Sequence, residues 1–152
     1  MQPQFITKPA FTVVGLRIQA EPMSPEIPNL WQQFGPRMNE VPHQVEPHVS
    51  YGVMSFDPQS GALDYMAGSP VEKVADIPAD MTPWDVPANT YAVFEATLPT
   101  LTQVFDHIHS TWLPTSIYEP ATGPFFEFYS DTFNPNDPTS PVLIYIPVKK
   151  KA

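Results

Sequence analysis

Apolar and polar positions along the chain fall into two similar runs. Phe11 to Gln19 (FTVVGLRIQ) is apolar and β-branched and predicts a strand, with Gly15 marking a bulge or a close backbone approach. Ser24-Pro25-Glu26 has the chemistry of a helix start: a cap residue, a proline for the first turn and an acid facing the helix dipole. Ile27, Leu30, Trp31, Phe34 and Met38 then recur at helical spacing. Pro28 delays that helix, and Gly35-Pro36 predicts its end or a kink. After a loop rich in proline and histidine, Val49 to Phe56 and Ala62 to Ala67 read as strands. Asp57-Pro58-Gln59-Ser60-Gly61 joins them as a hairpin, its proline suited to a turn and its glycine to positive φ. Gly68 to Val86, polar and punctuated by prolines, reads as a connector.

The second half repeats the order. Thr90 to Thr97 (TYAVFEAT) alternates as a strand does. Thr100-Leu101-Thr102-Gln103 matches a capping box, and Leu101, Val104, Phe105, Ile108 and Trp112 form one helical face that Leu113-Pro114 ends. Pro124 to Ser130 (PFFEFYS) and Val142 to Val148 (VLIYIPV) predict strands joined by the turn-rich stretch from Asn134 to Pro141. Strand, helix, strand, strand thus occurs twice, about 75 residues apart. A unit this small leaves a sheet face and a helix face uncovered, so two copies are expected to pack together. The expectation is one α+β domain over residues 1–152, built of βαββ modules at about 5–75 and 86–150, related by a pseudo-twofold axis, with an antiparallel sheet.

Composition narrows the function. Of 152 residues, 42% are hydrophobic and 15% charged, enough for a core and too apolar for disorder. The 21 prolines are spread along the chain and suggest many short loops rather than a linker. A formal net charge of −9 repels a phosphate backbone, and the one basic run, Lys149 to Lys151, reads as a solvated tail. Direct nucleic-acid binding is not expected, and the ligand is tilted toward neutral or cationic. With no cysteine, disulfides, thiolate metal sites and cysteine nucleophiles are excluded. Met1 to Lys8 lacks the pattern of a secretory signal, and no apolar stretch approaches a membrane span, so the expected location is the cytoplasm.

Several blocks now match a known family. Val13-Val14-Gly15-Leu16-Arg17, Ser50-Tyr51-Gly52-Val53, Asp64-Tyr65-Met66-Ala67-Gly68, Val86-Pro87-Ala88, Tyr91-Ala92-Val93-Phe94, Trp112-Leu113-Pro114 and Phe126-Glu127-Phe128-Tyr129 stand in the order found there. Over nearly its whole length the chain resembles the GyrI-like family, also called the AraC-type effector-binding domain. The resemblance implies two βαββ modules with a ligand cavity at the axis between them. It also implies binding of lipophilic, often cationic, compounds. Family members serve as the sensing half of transcription regulators, as ligand sequesterers, as inhibitors of a protein partner, or as hydrolases of strained cyclopropane compounds. No helix-turn-helix segment precedes the domain here, so a stand-alone module is expected. Pro36 departs from an uninterrupted first helix.

Glu127 is the leading candidate for chemistry. In FFEFY it shares a strand face with Phe125 and Tyr129, because side chains alternate along a strand. A carboxylate among aromatic rings loses hydration, which raises its pKa unless a cation arrives. The rings add apolar surface and cation–π attraction, and the same environment suits a partly protonated general acid. The resemblance points to this residue too, since a glutamate in this strand is the acid of the family's cavity. The alternative is that Glu127 faces solvent or pairs with Arg17 or Lys8.

Around it, Trp31, Phe34 and Trp112 lie on the predicted inner helix faces as core or as cavity wall. Tyr51, Tyr65, Tyr91 and Tyr118 offer hydroxyls to orient a ligand or to bond within the core. Glu95, near a strand end, and Glu119, beside Pro120, are weaker candidates for the acid. His107 and His109, two apart on a helix, cannot share a metal ion, and His43 and His48 read as surface residues of a loop. No cofactor is expected: six scattered glycines make no phosphate cradle, and no nucleophile elbow is present. Three functions compete. Capture of a lipophilic, cationic or neutral small molecule is favoured. A hydrolase would use Glu127 to move a proton or activate water, and a protein-interaction module would present the acidic surface to a partner.

Overall fold

Steric demand at a glycine fixes the packing of the first strand pair. In the computed structural model, which describes residues 2–21, 24–57 and 59–152, Gly15 on strand β2 (Phe11–Ala20) stands opposite Gly68 on β4 (Leu63–Val71). A Cβ at Gly15 would lie 2.0 Å from the Ala67 carbonyl oxygen and 2.5 Å from Gly68 Cα. The close approach expected of Gly15 is thus present, with the pairing continuous from Thr12 to Ala20.

The remaining elements are β1 (Gln4–Lys8), α1 (Glu26–Phe34), β3 (Ser50–Phe56), β5 (Thr82–Val86), β6 (Asn89–Ala96), α2 (Leu101–His107), β7 (Tyr118–Pro120), β8 (Phe125–Tyr129) and β9 (Val142–Lys150). Nine strands among the described residues form an antiparallel sheet in the order β1-β6-β9-β8-β3-β4-β2-β5, with β7 added on β9. The order reads the same from either end. β2-α1-β3-β4 and β6-α2-β8-β9 are the two βαββ repeats, and they meet at the β3–β8 seam. Each repeat is preceded by a strand that pairs with the other one: β1 joins β6, and β5 joins β2.

Three cores follow from strand alternation. On one face α1 covers Val14, Leu16, Tyr65 and Ala67 through Leu30 and Phe34. On the same face the second helix covers Ala92, Phe94, Ile144 and Ile146 through Val104 and Ile108. The opposite face curls on itself around Val13, Val53, Met66, Tyr91 and Phe126. Burying a side chain such as Phe34, fully enclosed here, contributes about 1.5–3 kcal/mol.

Local expectations shift at several points. Glu26 N–H donates to Ser24 Oγ at 3.1 Å, and α1 gives way at Gly35 to tighter turns through Glu40, so the end predicted at Gly35-Pro36 is present. The cap of the second helix sits three residues earlier than expected. A tight turn, Leu98–Thr100, opens the helix, and Thr97 N–H donates to Thr100 Oγ1 at 2.9 Å. That helix also passes the predicted stop: a widened turn, Ile108–Trp112, leads to a last turn at Leu113–Thr115 that accepts Pro114 near its start. The presumed connector Gly68–Val86 contains the end of β4 and the whole of β5. Neighbours override composition there: Pro70 lies opposite Val13, and its carbonyl accepts from Val45 N–H at 3.0 Å.

Lys149 and Lys150 belong to β9, and Lys151 Nζ donates to Leu113 O at 3.5 Å, so the basic end is pinned to the second helix rather than a free tail. In the β3–β4 hairpin Gly61 adopts φ +73° as expected, whereas the expected turn proline, Pro58, lies outside the described residues. No described helix is long and apolar enough to cross a membrane.

Candidate functional site

The seam between the repeats sets Gly52 on β3 opposite Glu127 on β8. Alternation turns Phe125, Glu127 and Tyr129 toward the helices, while Phe126 packs into the curled face. Glu127 is 7% exposed. Its Oε1 accepts from Tyr65 Oη and from Tyr129 Oη, each at 2.9 Å. Tyr65 Oη in turn accepts from Trp31 Nε1 at 2.8 Å, so α1, β4 and β8 together hold the acid. Gly52 leaves the room for this: a Cβ there would lie 2.3 Å from Tyr65 Oη and 2.8 Å from Glu127 Oε1. A side chain larger than hydrogen would occupy the space of the hydrogen-bonded pair.

No basic side chain of the described residues forms a salt bridge with Glu127. Arg17 pairs with Asp64 at 2.6 Å and lies 3.9 Å over the Trp84 ring, and Lys8 sits 4.5 Å over Phe11. Pairing with Arg17 or Lys8 is thereby removed as an alternative. Burial pushes the Glu127 carboxyl above its ordinary range, against the opposing pull of the bonds from Tyr129 and Tyr65. Burial first, and then the neighbouring Glu127 charge, raise both Tyr65 and Tyr129 well above the usual phenol value, so both remain protonated donors.

Glu127 borders a cavity of about 860 Å³ between α1, the start of the second helix and the segment after β8. Trp31, Tyr65 and Tyr129 line it with Glu127. The other expected residues lie elsewhere. Phe34 is fully enclosed beneath α1. Tyr51, one residue from Gly52, alternates to the opposite face and packs on Phe11, Phe126 and Phe128. Tyr91 belongs to that face too. Trp112, placed by the widened turn, packs on Phe94 and Tyr118 away from the cavity. Phe125 shares the face of Glu127 but packs on Phe56 and Phe105. Glu95 is exposed, and Glu119 faces Lys149 at 3.7 Å.

Sequence reasoning missed Gly52, Ser50, Met38, Leu101 and Phe133, the last four of which line the cavity. An isolated glycine inside a strand pattern was the available signal for Gly52. Nothing in the sequence brings Leu101 and Phe133 to Trp31; the chain fold does. No group of three or more metal-ligating side chains gathers among the described residues. The arrangement can hold a lipophilic cation against a carboxylate, or use a raised carboxyl as a proton donor. A second, shallower hollow of about 680 Å³ lies between Glu95, Thr97, His107 and Pro141.

The profile of the GyrI-like small molecule binding domain matches residues 1–149. The transcriptional regulator BrlR of Pseudomonas aeruginosa is 36% identical over 151 residues, which are 97% of this chain and 56% of that protein. The chain therefore spans just over half the length of that regulator. Among solved structures, SAV2435 bound to tetraphenylphosphonium superposes with a TM-score of 0.80 at 23% identity, covering 98% of this chain and 94% of that one. EcmrR in its DNA complex gives a TM-score of 0.72 at 16% identity, covering 99% of this chain and 58% of that one.

Proposed function

We propose that this chain, which belongs to the GyrI-like small molecule binding domain family, captures lipophilic cations in the cavity beside Glu127. The observation that carries the reading is a buried carboxylate with two phenol donors on one oxygen and no cationic partner among the described residues. An ionised carboxylate in that position is poorly hydrated, so an arriving cation relieves a cost already present in the empty site. Trp31, Tyr65 and Tyr129 supply ring surface to the same occupant, and Ile27, Met38, Leu98 and Leu101 supply apolar burial. Tetraphenylphosphonium, the ligand in the SAV2435 structure, has the required chemistry and is the natural first probe.

Capture of this kind would serve sequestration or the effector-sensing part of a transcription regulator. Isothermal titration of tetraphenylphosphonium into the protein and into Glu127→Gln tests it. Saturable binding that weakens at least tenfold in the variant supports the role, and equal affinity for both proteins removes it.

A second reading draws on the raised Glu127 carboxyl, which suits proton donation in a hydrolase of small lipophilic compounds. Product accumulating beyond one equivalent per protein, and lost in Glu127→Gln, would favour turnover over capture.

A further inference from the structure

Both phenol protons of the site arrive at the same oxygen of Glu127. The indole N–H of Trp31 can only donate, and its 2.8 Å bond occupies a lone pair of Tyr65 Oη. The single proton of Tyr65 is therefore directed to Glu127 Oε1, where the Tyr129 proton also points. In the neutral acid the carbonyl oxygen is the stronger acceptor, so with two donors on Oε1 the acid's own proton, when present, belongs on Oε2. Oε2 takes no hydrogen bond from any described residue, and it is the oxygen left to an occupant of the cavity that Glu127 borders.

The same atom thus offers opposite chemistry in the two states of the acid. Ionised, Oε2 is an anionic acceptor. Neutral, it is an O–H donor in apolar surroundings. We propose that the cavity accepts two ligand classes: lipophilic cations on the carboxylate, and neutral lipophilic molecules with an exposed oxygen acceptor, of the phosphine-oxide or ketone kind, on the protonated acid. The inference rests on the capture reading above and extends it to a ligand class without charge. Proton balance separates the two modes. A cation arriving at the neutral acid breaks the Oε2–H bond and releases one proton to the buffer, whereas a neutral acceptor keeps that proton and shares it in an O–H···O bond.

Few other groups titrate around the site. Tyr65 faces it from β4 and Tyr129 from β8, both held protonated by burial. His48 and Asp131 are exposed residues at its rim. From α1 come Ile27, Pro28, Trp31 and Gln32, from the start of the second helix Leu101 and Thr102, and from β3 Ser50, none of which is ionisable. Burial raises Glu127 and so extends the neutral acid to higher pH than an exposed glutamate allows.

The test compares tetraphenylphosphonium with triphenylphosphine oxide by calorimetry from pH 5 to 9, in buffers of differing ionisation heat, on the full chain and on Glu127→Gln. Below the pKa of the acid, cation affinity should fall tenfold per pH unit, with one proton released per cation bound. Above it, phosphine-oxide affinity should fall tenfold per unit. In Glu127→Gln the amide oxygen still accepts from both tyrosines and Nε2 becomes a permanent donor. The variant should therefore bind the oxide at all pH values and lose at least tenfold in cation affinity. Cation binding that follows pH while the oxide binds weakly or without pH dependence overturns the two-class inference and leaves capture standing. A wild-type protein that binds neither probe overturns both.

Discussion

Replacing Gly52 by alanine adds a single methyl group at the most crowded point of the site. That methyl would stand 2.3 Å from Tyr65 Oη, 3.0 Å from Tyr65 Cζ and 2.8 Å from Glu127 Oε1. Ordinary contact begins near 3.4 Å, so the Tyr65 hydroxyl must retreat by about 1 Å, as packed side chains do when a core is overfilled. A move of that size breaks a hydrogen bond of 2.9 Å to Glu127 and strains the one of 2.8 Å from Trp31. Overpacking costs about 1–3 kcal/mol, and an acceptor left short of a donor in a buried site costs about 1–3 kcal/mol more. The expected total is about 2–6 kcal/mol, which for a chain of this size lowers the Tm by roughly 4–24 °C.

Thermal unfolding followed by circular dichroism reads the stability, and tetraphenylphosphonium titration at 25 °C reads the site. Gly35→Ala is the matched control for stability. Gly35 lies in helical backbone with nothing within 4 Å of an added Cβ, so alanine there should be neutral or stabilise by about 0.5–1 kcal/mol. A Gly52→Ala protein with a Tm within 1 °C of wild type and unchanged affinity would refute the reasoning, because it would mean that the hydroxyl and the carboxylate yield without cost.

Three further outcomes follow from the same geometry. Tyr129→Phe removes one of the two donors that favour the ionised form of Glu127 against burial, so cation affinity at pH 7 should drop about tenfold, equivalent to about 1.4 kcal/mol. Raising the pH should restore part of that loss, and titrations at pH 7 and pH 9 compare the two. Because the folded-state pKa of Glu127 is raised, its contribution to the stability of the empty protein is fully present below the unfolded glutamate value and is lost as pH rises through the folded one. Urea unfolding of wild type and Glu127→Gln should show the wild type losing ground from pH 4 to pH 8, and a difference constant over that range would contradict it. Arg17→Ala removes a partly exposed bidentate pair with Asp64 and a stack on Trp84. It should cost about 1 kcal/mol or less in denaturant midpoint measurements and leave ligand affinity unchanged, since Arg17 is not a partner of Glu127.

Much of this protein is written in local patterns. The apolar, β-branched run over Phe11–Gln19, the strand over Val49–Phe56, the face shared by Phe125, Glu127 and Tyr129, and the helical spacing from Ile27 to Phe34 depend on residue type and side-chain direction within one element, so they are legible before any contact is known. The same alternation places Glu127 on a face with Tyr129 and predicts its poor hydration. Where a strand owes its existence to its neighbours, the signal fades: β1 and β5 are short edge strands exchanged between the repeats, and their sequences carry little of that pairing.

The chain alone determined the two repeats and the strand face that Glu127 shares with Tyr129, because each follows from the periodicity of the backbone. Tertiary structure alone decided which aromatics surround that acid. Register put Gly52 opposite Glu127 and sent Tyr51 to the far face, and a widened helical turn carried Trp112 out of reach of the cavity. The physical reason is that a residue's neighbours across a seam are set by strand pairing and helix packing over long sequence separations, and such contacts leave no periodic trace in the sequence itself.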